Sequence, residues 1–541
     1  VPTTDPDRTA GEPMTAVAAG TTSTTGWTVG RGVGLVLALV GGLLTDAAFP
    51  DRGWWPLAFV GIAALFLALT RDGAWWGALV GFTWGASFFL VHLWWANEAT
   101  DTVPWLALSL MEAAFVAVLG AAWVWARRWP WLGARPWVQA PAFAVLFVGL
   151  EQVRTEVPFG GFPWGRLAYS QADSPLGRAA WLAGENLVSF LVALVGALLA
   201  VALVAIVRDR WAGVVVPVAV AGALVAAPLL VPLDDRAESG TLEVGAVQGN
   251  VDEPGLGSFA NRAVVLNNHL EGTRALLDQV DQGDLDVVLW PENGSDLDPQ
   301  TNPDVAAAID DAATEVGAPI LVGAQEYPPT GGRYNVSLLW EPGAGVVDRY
   351  AKQHPAPFGE YIPMRSFVRL FSDQVDRVTL DMIPGTETGV MDLASSRLGG
   401  TVPLGVVICF EVAYDTLVRD AVDAGAQVLV IQTNNASFGY TAESTQQLAM
   451  SRMRAISTGR ATVQVSTVGV SGIIAPDGTL EQSTTLFTAD QLVASLPLRT
   501  SLTPAVRAGA TPAVVMMLGA LLLLGTGVVA GVRERRRGRA A

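Results

Sequence analysis

The sequence has one cysteine and three histidines in 541 residues, and of its 33 lysines and arginines only one is lysine. With Cys409 alone no internal disulfide can form, so cysteine usage does not report a redox compartment. His92, His269 and His354 lie far apart, and nothing has the ligand spacing of a zinc site. No metal is expected. No P-loop is present either. "GRGVG" at 30–34 and "PGLG" at 254–257 lack the strand and helix that a phosphate fingerprint needs, so no nucleotide cofactor is expected. Charge is scarce as well: 15% of residues are charged and 51% hydrophobic. A net charge of −17 argues against a nucleic-acid partner.

What is abundant is apolar length. Runs at about 33–49, 54–69, 74–93, 104–126, 137–153, 186–207 and 212–231 approach what a bilayer needs, though the first two are short. The 25 residues between Arg507 and Arg533 carry no charge and read as an eighth span. The 19 tryptophans suit bilayer interfaces. Residues 1–27, rich in Thr, Ala, Gly and Pro, read as a disordered tail. The expected division is a tail (1–27), a seven-span domain (28–235), an α/β domain (236–508), an eighth span (509–532) and a basic tail (533–541).

Arginine placement predicts the orientation. Arg533, Arg535, Arg536, Arg537 and Arg539 put the C-terminal tail in the cytoplasm. Counting back, Arg71, then Arg127, Arg128 and Arg135, then Arg208 and Arg210 fall in inner loops, which places 236–508 outside. Within that domain, strand-like runs lie at 242–248, 286–290, 319–324, 334–340, 403–410, 427–433 and 462–467. Helical patterns at 259–280, 303–316, 412–424 and 444–458 separate several of them, which argues a layered α/β domain.

Three stretches there could carry chemistry. "VVLWPENG" puts Glu292 just past a strand. "GVVICFEVAY" puts Cys409 at a strand end, with Phe410 and Glu411 following. "YAKQHPAPFGEY" holds the lone Lys352 and, eight residues on, Glu360. Loops at strand ends are where α/β domains build active sites. Each residue alone has an ordinary reading: a buried thiol, a loop acid, a solvated lysine. Their joint occurrence in one domain favours chemistry. A lysine is also a compact point charge that an arginine does not replace.

The order Glu in "WPEN", Lys in "YAKQHPAPFGEYIP" and Cys in "GVVICFE" resembles the nitrilase, or carbon–nitrogen hydrolase, superfamily. The eight spans, "GFPWGRLAYSQADSPLGRAAWLAGENLVSF" (161–190) and "PFGEYIP" (357–363) resemble, more narrowly, the apolipoprotein N-acyltransferase family. That resemblance implies a multi-span α-helical membrane domain plus an extracytoplasmic nitrilase-like αββα sandwich. It implies Glu292 as general base, Lys352 at the oxyanion, Cys409 as nucleophile, and Glu360 and Glu411 as supporting acids. It implies a phospholipid acyl donor, a diacylglyceryl-apolipoprotein acceptor and a bacterial cytoplasmic membrane. The chain is expected to act as a monomer. Phe410 stands where many members have Tyr, and Ser437 where many have Trp, which leaves the acyl-pocket wall open. "FGEYIPMRSFVRLF" (358–371) reads as a lid or membrane-dipping loop, or as a plain surface hairpin. Two other readings stay open: a membrane-anchored amidase, and a lipid-binding or transport protein with a degenerate catalytic domain.

Overall fold

The structure is a computed structural model that describes residues 28–251 and 262–540. The tail 1–27 and the "PGLG" segment lie outside the described residues.

The eight apolar runs each form a helix: α1 (Arg31–Asp46), α2 (Leu57–Ala68), α3 (Ala74–His92), α5 (Thr102–Ala126), α6 (Pro136–Arg154), α7 (Ala180–Val207), α8 (Ala212–Ala226) and α13 (Thr511–Ala540). A short α4 (Trp94–Thr100) joins α3 to α5. Five helical stretches are long and apolar enough to cross a membrane: 74–92, 102–126, 175–207, 212–230 and 511–537. The α2 helix is apolar but has 12 residues, and α1 has 16. The α3–α5 pair shows why small residues recur here. A Cβ on Gly120 would sit 2.0 Å from the Gly77 carbonyl oxygen, and one on Gly81 2.1 Å from that of Val116. The two backbones touch directly, which maximises dispersion contact where lipid removes the hydrophobic drive.

The second body has twelve strands in two sheets. One runs β12 (Asp490–Pro497), β1 (Thr241–Gln248), β2 (Val287–Leu289), β3 (Ile320–Glu326), β4 (Tyr334–Glu341), β5 (Gly345–Ala351). The other runs β11 (Leu480–Ser483), β10 (Gly472–Ile474), β9 (Thr462–Ser466), β8 (Val428–Thr433), β7 (Gly400–Ile408), β6 (Val390–Ser395). Alternation along the strands splits the core. Val244, Leu289, Val406, Ile408, Val428 and Val430 meet between the sheets. Their neighbours Val247 and Val288 face α9 (Arg262–Ala275) and α10 (Pro303–Val316). Val407, Leu429 and Ile431 face α11 (Asp415–Asp423) and α12 (Glu443–Thr458). Period-two side chains therefore build an αββα sandwich. The α10 helix illustrates the local cause. Pro303 opens it, left-handed Gly317 (φ 72°) ends it, and Val305, Ile309, Ala312, Ala313 and Val316 share its buried stripe.

The two helix layers differ in what covers them. The α11/α12 layer belongs to one continuous core with the membrane helices, including Trp84, Trp164 and Val192. This fusion fixes the sandwich on the helical body. The strand expected at 403–410 stops at Ile408, because Cys409 takes a left-handed backbone (φ 56°) and starts a tight 3-10 turn. Strands β5, β6 and β10–β12 went unread in the sequence because their faces are mostly half-exposed or short.

Candidate active site

Cys409, Glu292, Lys352 and Glu360 are brought to one cavity of about 840 Å³. Three come from strand ends, Glu292 after β2, Lys352 after β5 and Cys409 after β7, and Glu360 from the loop that follows Lys352. Glu292 is buried. Its Oε1 accepts from Asn335 Nδ2 at 2.5 Å and from Lys352 Nζ at 3.3 Å, and its Oε2 from the Asn434 backbone N–H at 2.9 Å. Three fixed donors leave its position with little freedom. Lys352 Nζ also donates to Glu360 Oε1 at 2.7 Å, and Glu360 Oε2 accepts from the Ala356 N–H at 2.6 Å. Burial alone would discharge the Lys352 ammonium. The Glu360 and Glu292 carboxylates outweigh that and hold it well above its usual range, so it stays charged. An ammonium has three donors. Two are committed here, and one remains for a ligand.

Cys409 Sγ has Thr433 Oγ1 at 3.4 Å and Gln447 Nε2 at 3.8 Å, both in donating geometry. Burial pushes the thiol well above its usual range, and the Glu292 charge adds to this, while Lys352 pulls the other way. The resting sulfur is therefore a protonated thiol beside a carboxylate, poised to lose its proton only when the charge has somewhere to go.

Glu411 does not reach the cavity. It is fully buried and accepts from Ile408 N (2.9 Å), Gln353 N (2.6 Å), His354 N (3.1 Å) and Tyr350 OH (3.0 Å). It clamps the loop after Lys352 to the strand before Cys409, so it positions the site rather than touching a substrate. Burial raises its carboxyl, and the backbone N–H groups and Lys352 offset part of that. Phe410 lines the cavity and packs on Trp164 (4.8 Å), Trp95 (5.7 Å) and Phe438 (6.1 Å). An apolar cage surrounds the ring, with no need of a phenol hydroxyl. Ser437 lines the same cavity, but the aromatic wall beside it comes from Trp95 and Phe438 (5.2 Å apart).

Trp95 and Trp164 belong to the membrane body, so the cavity is built by both bodies. It continues between α4–α5 (Ala99, Val103, Ala107, Met111) and the segment 358–382. That segment is not a hairpin. It holds a short α-helix (Arg365–Val368) and a 3-10 turn (Asp373–Asp376), and walls the cavity with Phe358, Phe367 and Phe371. Met364 (58%), Phe367 (57%), Leu370 (76%) and Phe371 (65%) of this segment are exposed, an apolar patch of the kind that marks a contact surface.

The sequence reading missed the partners that hold these residues: Asn335 on Glu292, Thr433 and Gln447 on Cys409, and the tryptophans of the wall. Asn335 was findable, since it lies in the 334–340 run read as a strand, a polar side chain among apolar ones. Thr433 and Gln447 lie 24 and 38 residues from Cys409, and the tryptophan wall joins positions hundreds of residues apart, as in Trp164 Nε1 donating to Gln446 Oε1 at 2.7 Å.

Two family models match the chain, one over each body. The apolipoprotein N-acyltransferase N-terminal domain matches at residues 41–198, and the carbon-nitrogen hydrolase domain at 244–501. The apolipoprotein N-acyltransferase of Mycolicibacterium smegmatis is 37% identical over 520 residues, 91% of this chain and 84% of that one. That of Geobacter metallireducens is 28% identical over 84% of this chain and 87% of that one. Among solved structures, Saccharomyces cerevisiae Nit3, a member of branch 10 of the nitrilase superfamily, is 15% identical. The match has a TM-score of 0.36 and covers 50% of this chain and 94% of that chain.

Proposed function

The chain belongs to the apolipoprotein N-acyltransferase family, and from that membership and the cavity's geometry we propose how it works. It moves a fatty acyl chain from a membrane phospholipid, through a thioester on Cys409, to the α-amino group of the N-terminal S-diacylglyceryl cysteine of a lipoprotein. The observation that carries this reading is the cavity itself. A charged Glu–Lys–Glu cluster and a thiol sit at one end of a long apolar channel walled by membrane-body tryptophans and an exposed apolar lid. A small hydrophilic amide would need no such channel, which disfavours the amidase reading. An intact nucleophile and its partners disfavour a degenerate domain.

The first half-reaction starts with the thiol proton passing to Glu292 as sulfur attacks the ester carbonyl. Negative charge moves from carboxylate to carbonyl oxygen. The free Nζ donor of Lys352 meets it, together with the backbone N–H that opens the turn after Cys409. One such donor contributes about 3–4 kcal/mol to a transition state. Collapse breaks the ester C–O bond. The lyso-phospholipid alkoxide takes the proton from Glu292 and leaves, and the acyl group stays on sulfur. In the second half-reaction the lipoprotein amine attacks the thioester, Glu292 takes the amine's proton, and the thiolate departs and is reprotonated. Every proton is returned, and no external reductant or nucleotide is needed, which suits a donor already activated as an ester.

Glu360 holds Lys352 from the side away from Glu292, and so keeps the ammonium charged while Glu292 is protonated. The arginine asymmetry supports a cytoplasmic C-terminus and an outer catalytic body, as a lipoprotein acceptor requires. A monomer is consistent with a site completed within one chain.

The test is direct. The full-length protein, reconstituted with a defined phospholipid and no acceptor, should gain one fatty acyl group on Cys409 by intact mass. Adding a diacylglyceryl lipopeptide should discharge it as an N-acyl product. A thiol that stays unmodified in phospholipid would remove this reading.

A further inference from the structure

One charged group in the cavity is left idle by the acyl-transfer chemistry. Arg333 lies on the cavity wall with Gln325, Tyr327, Asn293 and Asp296. Its Nη1 donates to Gln325 Oε1 at 2.9 Å, and Gln325 Nε2 donates to Asn293 Oδ1 at 3.3 Å. Asn293 is the residue after Glu292, so this chain of side chains ends beside the base. The Arg333 Nε is buried without a hydrogen-bond partner. Among the described residues Arg333 forms no ion pair, whereas the buried Arg154, Arg166 and Arg454 each hold a carboxylate. A guanidinium that is half-buried, unpaired and part of a cavity wall is a fork waiting for an anion.

We propose that Arg333 binds the phosphodiester of the phospholipid donor and thereby sets the donor's ester carbonyl at Cys409. The proposal rests on the acyl-donor reading above. Three observations support it. First, Arg333 precedes Asn335 by two residues, and Asn335 touches Glu292. In extended chain such residues share a face and stand roughly 6.5–7 Å apart, a spacing that a three-carbon glycerol bridges between ester and phosphate. Second, the Arg333 backbone is fixed on both sides. Its N–H donates to Asp381 O at 3.3 Å, and its carbonyl accepts from Ile383 N at 2.7 Å, which ties it to the base of the lid. Lid and phosphate fork therefore move together. Third, Asp296 shares this end of the cavity, so the local field is not one that gathers free anions. A phosphate tethered to a chain already seated in the apolar channel arrives at high effective concentration and needs only orientation.

The experiment uses full-length protein in phospholipid-free detergent micelles and reads single-turnover acylation of Cys409. Two donors are compared: a diacyl glycerophospholipid, and the p-nitrophenyl ester of the same fatty acid, which has no phosphate. For Arg333→Gln the phospholipid/nitrophenyl-ester ratio of kcat/KM should fall roughly 10- to 100-fold, chiefly through KM. Arg333→Lys should recover part of it as a point charge. Excess inorganic phosphate should not compete with the phospholipid. An equal loss with both donors would show that Arg333 only supports the wall, and would overturn the proposal. So would an unchanged ratio, competition by inorganic phosphate, or a loss confined to transfer onto a lipopeptide. A wild-type protein acylated by the nitrophenyl ester but by no phospholipid would instead overturn the donor reading itself.

Discussion

Two buried ionic clusters adjoin the Cys409 turn, and they use different cations. In the one on the cavity wall, Lys352 lies between Glu292 and Glu360. In the other, Arg166 and Arg454 lie among Glu151, Glu185 and Asp415, where the membrane body meets α11 and α12. Arg454 is enclosed by internal partners. Nε bonds Val412 O, Nη2 bonds Ala413 O and Tyr169 OH, and Nη1 meets Glu185 (2.7 Å) and Asp415 (2.6 Å). Burial pushes the Asp415 carboxyl up, but the two arginines outweigh this and hold it far below its usual range. This cluster freezes the back of the nucleophile turn. The Lys352 cluster keeps one donor unspent. An arginine suits a place where every bond is internal, and a lysine one where a bond must be left for the substrate. That is a physical reason for the single lysine in a chain that otherwise writes its positive charge as arginine.

The comparison breaks first at the sulfur. Cys409→Ser should lower turnover by at least about 10⁴-fold, since an alkoxide is far harder to form than a thiolate and an oxyester reacts poorly with amines. Acyl-enzyme mass and lipopeptide product would both read it. Substantial residual transfer would mean that neither cluster serves the nucleophile assigned here.

Glu292→Gln comes next. The amide keeps the shape and one acceptor, for either Asn335 or Asn434, while losing the base, at a cost of roughly 10²–10⁴ in acylation rate. Wild-type thioester formation near neutral pH would take Glu292 out of the base role.

Lys352→Arg tests the difference between the clusters itself, with an expected loss of roughly 10²–10³ in single-turnover acylation at unchanged folding. A longer planar fork must displace Glu292 or Glu360. Near-wild-type acylation by this variant would leave charge alone as the requirement, and the lysine would carry no geometric meaning.

The reciprocal change should move stability instead. Arg454→Lys leaves the Val412 and Ala413 carbonyls and part of Glu185 and Asp415 unserved. Breaking such a buried set costs roughly 3–5 kcal/mol. The melting temperature in detergent should fall sharply, while the acylation rate of the folded fraction falls less than for Lys352→Arg. The reverse ranking would dissolve the distinction between the clusters.

These two clusters also show what a sequence can carry. Cys409, Lys352, Glu292 and Glu360 were legible because rare or charged residues stand out at strand ends, and the strand and helix patterns around them are local. Helix α10 ran as read, 303–316, because its start, stop and stripe are all written within it. The arginine cluster was not legible. Arg166 and Asp415 are 249 residues apart, and nothing in either neighbourhood names the other. The aromatic wall is the same case, since Trp95 meets Phe410 only after two bodies dock. What the sequence withheld is therefore the interface between bodies, where partners share no local pattern.

A further buried carboxylate, outside both clusters, sharpens the contrast because it has no cation at all. Glu443, at the start of α12, accepts from Asn435 Nδ2 at 2.6 Å through Oε2, and its Oε1 has no hydrogen-bond partner. Among the described residues it forms no ion pair. Burial pushes it from the ordinary 4.5 to about 8, with the Asn435 hydrogen bond pulling back and the Glu292 charge adding to the rise. A raised carboxyl binds a proton in the folded chain that the unfolded chain has already lost. Stability is then undiminished below about 4.5 and declines as pH climbs toward about 8. Glutamine keeps the acceptor for Asn435 and never titrates. Glu443→Gln should therefore melt like wild type at pH 5 and about a few degrees higher at pH 8. The same offset at both pH values would mean that packing, not charge, separates the two proteins, and that this carboxylate has a counter-charge of its own.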